Sequence, residues 1–164
     1  MMKRVLLAVL LIAFATTGAF AFGIGLQYNG DMSQDEYTSG LAVTFKTESI
    51  PLVFSVSWSF VEDATAIGIT GDYWFLNDKI TNVGSASLNW FIGVGFFADF
   101  FFPEDDFILN GGVRIPVGLN MYTFRGQFEP FLMVAPSFGV QLVPTLDTTD
   151  IFFPISIGFR FWFK

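Results

Sequence analysis

The chain has 164 residues, of which 52% are hydrophobic and 14% charged, whereas about a quarter are charged in ordinary soluble domains. It has no cysteine, which excludes disulfides and thiolate metal sites, and a net charge of −7, which disfavours nucleic acid as a partner. The length allows one domain. Outside the N-terminus no apolar run approaches the about 20 residues of a membrane helix. High apolar content spread over alternating segments is typical of a membrane β-barrel.

The first segment, 1–21, has the three parts of a secretion signal. Basic residues precede an apolar core at 5–15, and Ala-Phe-Ala, ending at Ala21, is a small-x-small cleavage site. We expect cleavage after Ala21; the alternative is an uncleaved helical anchor, for which the core is short. The predicted organisation is a signal peptide, 1–21, followed by an outer-membrane barrel, 22–164.

The mature chain alternates large apolar residues with small or polar ones, and this period of two indicates β-strands. In 52–61, for example, Ser55, Ser57 and Ser59 would share one face of a strand, whereas a helix would scatter them. A polar connection is predicted at 77–87. The alternation predicts eight strands, at 22–30, 38–47, 52–61, 65–76, 88–100, 107–121, 128–143 and 151–164.

Prolines inside the later predicted strands complicate their register. Each one removes a ladder hydrogen bond, so we expect β-bulges near these positions. The prolines concerned are Pro116, Pro130, Pro136 and Pro154.

A tilted membrane strand needs about 9–11 residues, and eight is the smallest even strand number of bacterial barrels. We therefore predict an all-β fold, an eight-stranded antiparallel up-and-down transmembrane β-barrel, monomeric and surrounded by outer-membrane lipid. The alternative is a soluble secreted lipocalin-like binding barrel. That barrel would direct charged residues toward water, whereas the second face here consists mainly of Gly, Ser, Ala and Thr. Such a face fits a crowded interior, and the apolar face fits lipid.

A few charged residues fall on the small, inward face. Ionised groups inside a narrow barrel need partners, so we predict a charge network that fills the lumen. Arg160 is expected to pair with Glu129 or Asp99. The alternative is a polar pathway for small solutes or ions, although eight strands argue against a wide pore. The predicted network comprises Lys46, Asp72, Asp99, Arg114, Glu129 and Arg160.

Four loops, near 30–38, 61–65, 101–107 and 143–150, share the end opposite the mature termini and are predicted to be extracellular. These loops are rich in acidic residues, and the need to keep exposed loops solvated would explain this. The functional interpretations are capture of divalent cations or attraction of a basic partner. No loop has the spacing of a calcium-binding loop, and no metal or cofactor is predicted. The loops carry no basic residue and ten acidic ones: Asp31, Asp35, Glu36, Glu62, Asp63, Glu104, Asp105, Asp106, Asp147 and Asp150.

The chain has no histidine, and this bears on catalysis. Acid–base chemistry at neutral pH commonly uses histidine, and barrel acyltransferases, phospholipases and proteases of the outer membrane rely on it. No motif suggests a Ser–Lys or carboxylate-only site in its place. We therefore predict that the protein is not an enzyme.

A signal peptide, eight alternating strands and an aromatic C-terminal strand together resemble the OmpA-transmembrane, OmpX and OmpW-type small outer-membrane barrels. The segment 111–119, GGVRIPVGL, resembles the G-x-R-x-P-x-G strand of the OmpW-like and spirochaete small-barrel group. The resemblance implies insertion by the barrel-assembly machinery, which reads a C-terminal strand ending in an aromatic residue. Phe159, Phe161 and Phe163 would form that assembly strand, although Lys164 follows them.

The roles that this resemblance implies range from membrane structure to host-protein binding, including complement regulation, and leakage of small or apolar solutes. We predict a structural or surface-interaction barrel, such as an adhesin, that contacts an extracellular host protein through its acidic loops. The alternative is a narrow channel for small or apolar solutes.

Overall fold

The computed structural model describes residues 21–31, 39–61, 64–103 and 107–163. Most of the predicted signal peptide, 1–20, therefore lies outside the described residues. None of the described residues forms a helix that is long and apolar enough to span a membrane.

Eleven strands and one short 3₁₀ turn, Phe124–Gly126, make up the secondary structure of the described residues. Two interruptions divide what the sequence predicts as single strands: β6 and β7 form one barrel strand, and β8 and β9 form another. The strands are β1 (Phe22–Asp31), β2 (Ser39–Thr47), β3 (Leu52–Val61), β4 (Ala64–Val83), β5 (Ala86–Pro103), β6 (Ile108–Arg114), β7 (Val117–Tyr122), β8 (Phe128–Val134), β9 (Ser137–Val143), β10 (Asp147–Thr148) and β11 (Pro154–Phe163).

The strands close into an eight-stranded antiparallel barrel, which confirms the predicted fold class. The segments β1 to β5 pair in sequence order, and β5 pairs with both halves of the sixth strand. The halves of the sixth and seventh strands pair as β6 with β9 and β7 with β8. Finally β11 pairs with β8 and with β1, so that Leu26 lies opposite Phe159. The first and last strands are therefore neighbours, and their pairing closes the barrel.

Alternate residues of each strand face opposite sides of the wall, as a pleated strand requires. On the outside, Leu41 is 66% exposed, Val113 64% and Trp58 57%. On the inside, Glu129 and Arg160 are 0% exposed. Large apolar side chains thus face outward, while the lumen holds charged groups together with aromatic rings, unlike the arrangement of a soluble protein.

One hairpin is longer than the sequence predicts. The predicted connection at 77–87 is instead a continuation of β4 and β5, which have 20 and 18 residues and turn at Gly84, where φ is +62°. A tilted membrane strand needs only about 9–11 residues. The hairpin therefore extends beyond β3 at one end of the barrel. We call this end, which holds Phe22 and Phe163, the near end, and the opposite end the far end.

The prolines interrupt strands rather than producing the expected bulges. Strand structure stops at residues 115–116 and 135–136, whereas Pro130 lies within β8 opposite Phe159. The interruptions are aligned, because Ile115 N donates to Pro136 O and Ala135 N to Pro154 O, both at 2.9 Å. Proline has no N–H but keeps its carbonyl. The row of prolines thus breaks two neighbouring strands, and Pro154 begins β11 beside them, while the barrel stays closed.

Candidate functional site

The carboxylate of Glu129 is the centre of a buried cluster in the near half of the lumen. Its Oε1 accepts from Lys46 Nζ at 2.8 Å, from Asn120 Nδ2 at 2.8 Å and from Arg160 Nη1 at 3.4 Å. Its Oε2 accepts from Trp162 Nε1 at 2.8 Å. Strand register explains the geometry: Glu129 and Arg160 are directly opposed on β8 and β11. We call these five residues the Glu129 cluster.

Arg160 is held on several sides. Its Nε donates to Thr44 Oγ1 at 3.1 Å, and its guanidinium carbon lies 4.0 Å from the centre of the Phe131 ring. The Trp74 ring is 5.3 Å away. A guanidinium stacks readily on aromatic faces while keeping its in-plane donors for hydrogen bonds. The ring contacts therefore complement the ion pair to Glu129.

Lys46 lies in an aromatic enclosure. Its ammonium is 4.3 Å from the Trp74 ring centre, 5.5 Å from Tyr122 and 5.6 Å from Trp162. It also donates to the Tyr122 hydroxyl at 2.9 Å. Cation–π contacts gain strength when the cation is desolvated, and Lys46 is only 4% exposed.

A stacked aromatic pair fills the lumen beside the Glu129 cluster. The rings of Trp74 and Phe91 lie 3.6 Å apart and nearly parallel, at 7°, and both residues are buried. Space for Phe91 depends on Gly118, because a Cβ there would lie 2.5 Å from Phe91 Cζ. Gly118 therefore leaves the space that the Phe91 ring occupies.

The remaining interior charges lie farther toward the far end. Arg114 Nε is 3.2 Å from Asp72 Oδ1, and Arg114 Nη2 approaches Met133 Sδ at 3.8 Å. Asp99 lies opposite Gly68 and Asn110 in the register. It makes no ion pair within 4 Å among the described residues.

The structure thus places all six predicted network residues on the inner face. It joins Lys46 and Arg160 to Glu129, and Arg114 to Asp72, while Asp99 stands apart from these contacts. Of the two predicted alternatives for the partner of Arg160, Glu129 or Asp99, Glu129 is its neighbour on the adjacent strand.

Five residues that belong to the Glu129 cluster or contact its cations were not predicted as site residues: Thr44, Trp74, Asn120, Tyr122 and Trp162. The period of two could have assigned them to the inner face, but no local signal indicates that they meet around Glu129. Polar and aromatic residues on the small face of a predicted strand are therefore the sequence feature that could have identified them as candidate site residues.

The near end of the lumen opens into a vestibule of about 390 Å³. The extended β4–β5 hairpin contributes Asn77 and Asn89 to its wall, and Lys46, Tyr122 and Trp162 line its inner side. The vestibule therefore ends at the Glu129 cluster.

The predicted acidic loops lie largely outside the described residues, including Asp35, Glu36, Glu62, Asp63, Glu104, Asp105 and Asp106. Asp147 and Asp150 are described and exposed at the far end. Two assignments need correction: Asp31 is the last residue of β1, opposite Pro154, and Asp147 belongs to the short β10. Both are extended because their backbones pair with neighbouring strands.

The C-terminal strand β11 presents Phe161 and Phe163 to the outside, where they are 50% and 53% exposed, and Phe159 is half-buried. Its other face carries Arg160 and Trp162. The same strand thus supplies part of the outer wall and two members of the Glu129 cluster.

No family model matches the chain, and no curated protein matches it. Among solved structures, it is similar to Ail, the attachment invasion locus protein of Yersinia pestis, with a TM-score of 0.45 and 14% identity over 88% of this chain and 97% of that one. It also has a likeness to the KdgM porin, with a TM-score of 0.25 and 12% identity over 85% of this chain and 99% of that one. Neither likeness is strong enough to support a function.

Proposed function

We propose that this chain is a non-enzymatic, integral outer-membrane β-barrel with a closed lumen, which acts at the cell surface through its acidic far-end loops. The observation that carries the proposal is the reversed polarity of the wall: ion pairs are fully buried inside, while Leu41, Val113 and Trp58 are more than half exposed outside. Each such side chain gains about 1.5–3 kcal/mol on leaving water. A closed barrel also satisfies its backbone hydrogen bonds within lipid.

The interior supports a closed lumen rather than a channel. The side chains of Glu129, Arg160, Trp74 and Phe91 come from four strands and are each less than 2% exposed. Eight strands leave an interior just wide enough for side chains. These residues therefore occupy the space that a solute would need.

The surface role is supported by charge. The four segments predicted to be extracellular, near 30–38, 61–65, 101–107 and 143–150, carry ten acidic residues and no basic one in the sequence, which favours a partner with a basic surface. An extracellular host protein is the partner class that we propose. The absence of histidine from the sequence supports a role in binding rather than catalysis.

The first test combines detergent dependence with conductance. The protein without residues 1–21 should need detergent to stay dispersed, migrate differently before and after heating on gels, and give no steady conductance in planar bilayers. A Glu129→Ala/Trp74→Ala variant should conduct more than the unaltered barrel, because the double change truncates two of the buried side chains that fill the lumen. Steady conductance of the unaltered barrel would favour the channel, and dispersal without detergent would favour the soluble lipocalin-like barrel.

The second test addresses the loops. Basic extracellular host proteins should bind barrels in nanodiscs, and replacing Glu104, Asp105 and Asp106 with their amides should weaken that binding. Asp78→Asn, at the near end, is the matched control and should leave binding unchanged. Equal binding by the loop variant would refute the role of those acids.

A further inference from the structure

The turn between β7 and β8 combines an unusual backbone with an unusual sequence. Its central residues, Phe124 and Arg125, have φ of +48° and +62°, and Gly126 N donates to Thr123 O at 2.9 Å. Positive φ crowds the Cβ of any L-residue, and a bulky residue there is a clear outlier. Gly and Asn are the residues that adopt such a conformation routinely, and neither occupies position 124 or 125 of the four-residue loop that the Thr123–Phe128 bridge closes. The turn therefore holds an aromatic and a basic residue where the backbone favours neither.

Phe124 continues an aromatic strip on the outer wall. It is 73% exposed, and its ring centre is 6.3 Å from that of Phe128. The Phe128 ring lies 5.1 Å from Phe161 and 5.8 Å from Phe159. We call these four residues the Phe strip. It runs from the turn onto β8 and β11 and presents a continuous apolar surface at the near end.

Arg125 places a positive charge at the edge of this strip. The side chain is exposed, and no carboxylate of the described residues lies within ion-pair distance of it. The turn, TFRGQ at 123–127, contains no acidic residue. A free guanidinium presents paired donors that match phosphate oxygens. The surface therefore fits an amphiphile that joins a phosphate to an acyl chain.

We propose that this turn and the Phe strip form a binding site for a membrane phospholipid, with Arg125 contacting the phosphate and the strip contacting an acyl chain. The proposal rests on the proposed insertion of the barrel in a membrane. In that setting the exposed Phe124 lies in lipid instead of water, and contacts with lipid offset the strain of the turn. Strained residues of this kind are retained where their surroundings use them.

Native mass spectrometry of the detergent-refolded barrel, titrated with phosphatidylglycerol, measures the dissociation constant of the first bound lipid. Arg125→Gln should weaken it about fivefold, the effect of one basic side chain near anionic lipid. Lys79→Gln removes another exposed near-end charge, outside the strip, and is the matched control. Equal affinities of the unaltered protein and Arg125→Gln would overturn the proposal, as would an equal loss in Lys79→Gln.

Two ligand controls identify the source of the phosphate. Glycerol 3-phosphate should not displace the lipid, because it lacks the chain that contacts the strip, and full displacement would overturn the lipid assignment. Diacylglycerol, which lacks phosphate, should bind at least fivefold more weakly than phosphatidylglycerol. Equal binding of the two would exclude recognition of phosphate.

The double variant Phe124→Asn/Arg125→Gly separates lipid binding from folding. It places residues that tolerate positive φ at both positions, so the barrel should unfold in detergent at an equal or higher urea concentration while its affinity for phosphatidylglycerol falls at least fivefold. A joint loss of stability and affinity would indicate a purely structural turn and refute the site. Heat-modifiability in vesicles is measured separately. A barrel that never inserts would refute the proposed function, whereas one that inserts without lipid preference would refute only this site.

Discussion

Glu129→Ala is the substitution that most directly tests how the barrel interior is held together. It removes a carboxylate that accepts from Lys46, Asn120, Arg160 and Trp162, three of these contacts at 2.8 Å and one at 3.4 Å. Lys46 and Arg160, 4% and 0% exposed, then remain as buried cations without that counter-charge. Removing one partner of a buried ion pair typically destabilises a protein by about 3–5 kcal/mol.

We expect a loss near the upper end of that range, because two cations share the one carboxylate. Glu129→Gln should lower the free energy of unfolding less, by about 1.5–3 kcal/mol in total, since the amide keeps the shape of the side chain and loses only its charge. The free energy of unfolding can be measured by urea titration of barrels folded in vesicles, with tryptophan fluorescence as the signal. Asp150→Asn, at an exposed acid of the far end, is the matched control and should stay within about 0.5 kcal/mol.

A double-mutant cycle checks the physical reason. Lys46→Met with Glu129→Gln should destabilise less than the sum of the two single changes, because the double variant leaves no unpaired charge at that contact. A Glu129→Ala loss below about 1 kcal/mol, or strict additivity in the cycle, would refute the view that the ion pairs stabilise the barrel.

Other interior substitutions give further predictions. Arg160→Lys should cost about 2–3 kcal/mol in urea unfolding, because an ammonium cannot keep both the Thr44 bond and the flat contact with Phe131; a neutral result would mean that charge alone matters. Gly118→Ala should destabilise by about 1–3 kcal/mol or slow refolding, since its Cβ would clash with the backbone carbonyl oxygen of Leu132 and lie 2.5 Å from Phe91 Cζ. Gly30→Ala, whose Cβ would meet its nearest atom at 3.8 Å, should be nearly neutral, and equal losses at the two glycines would contradict the crowding argument.

The period of two assigned residues to faces with little help from anything else. Ser55 faces inward and Trp58 outward because successive residues of a strand must point to opposite sides. The closed barrel and its strand number could also be predicted from this alternation. A wall with an apolar exterior and a small-residue interior is stable in lipid only when no strand edge remains unpaired. The residues on each face therefore indicated the barrel before any contact was known.

The local sequence pattern did not predict the structure correctly at the β4–β5 hairpin and at the prolines. The segment 77–87 reads as a polar connection, yet it pairs as a ribbon because β5 continues alongside β7 to Ser87, opposite Tyr122. At residues 115–116 the alternation continues in sequence while the strand stops. A proline lacks one donor, and whether the chain bulges or breaks there depends on the neighbouring strand.

Which charges meet was decided only by the tertiary structure. Lys46 and Glu129 are 83 residues apart in sequence, on strands that are not neighbours, and they meet across the lumen of a narrow barrel. Arg160 faces Glu129 rather than Asp99 because register aligns β8 with β11. Sequence determines which side of the wall a residue faces, since that is a property of one strand. Partners across the lumen depend on closure, register and the space left by residues such as Gly118, which are properties of all the strands together.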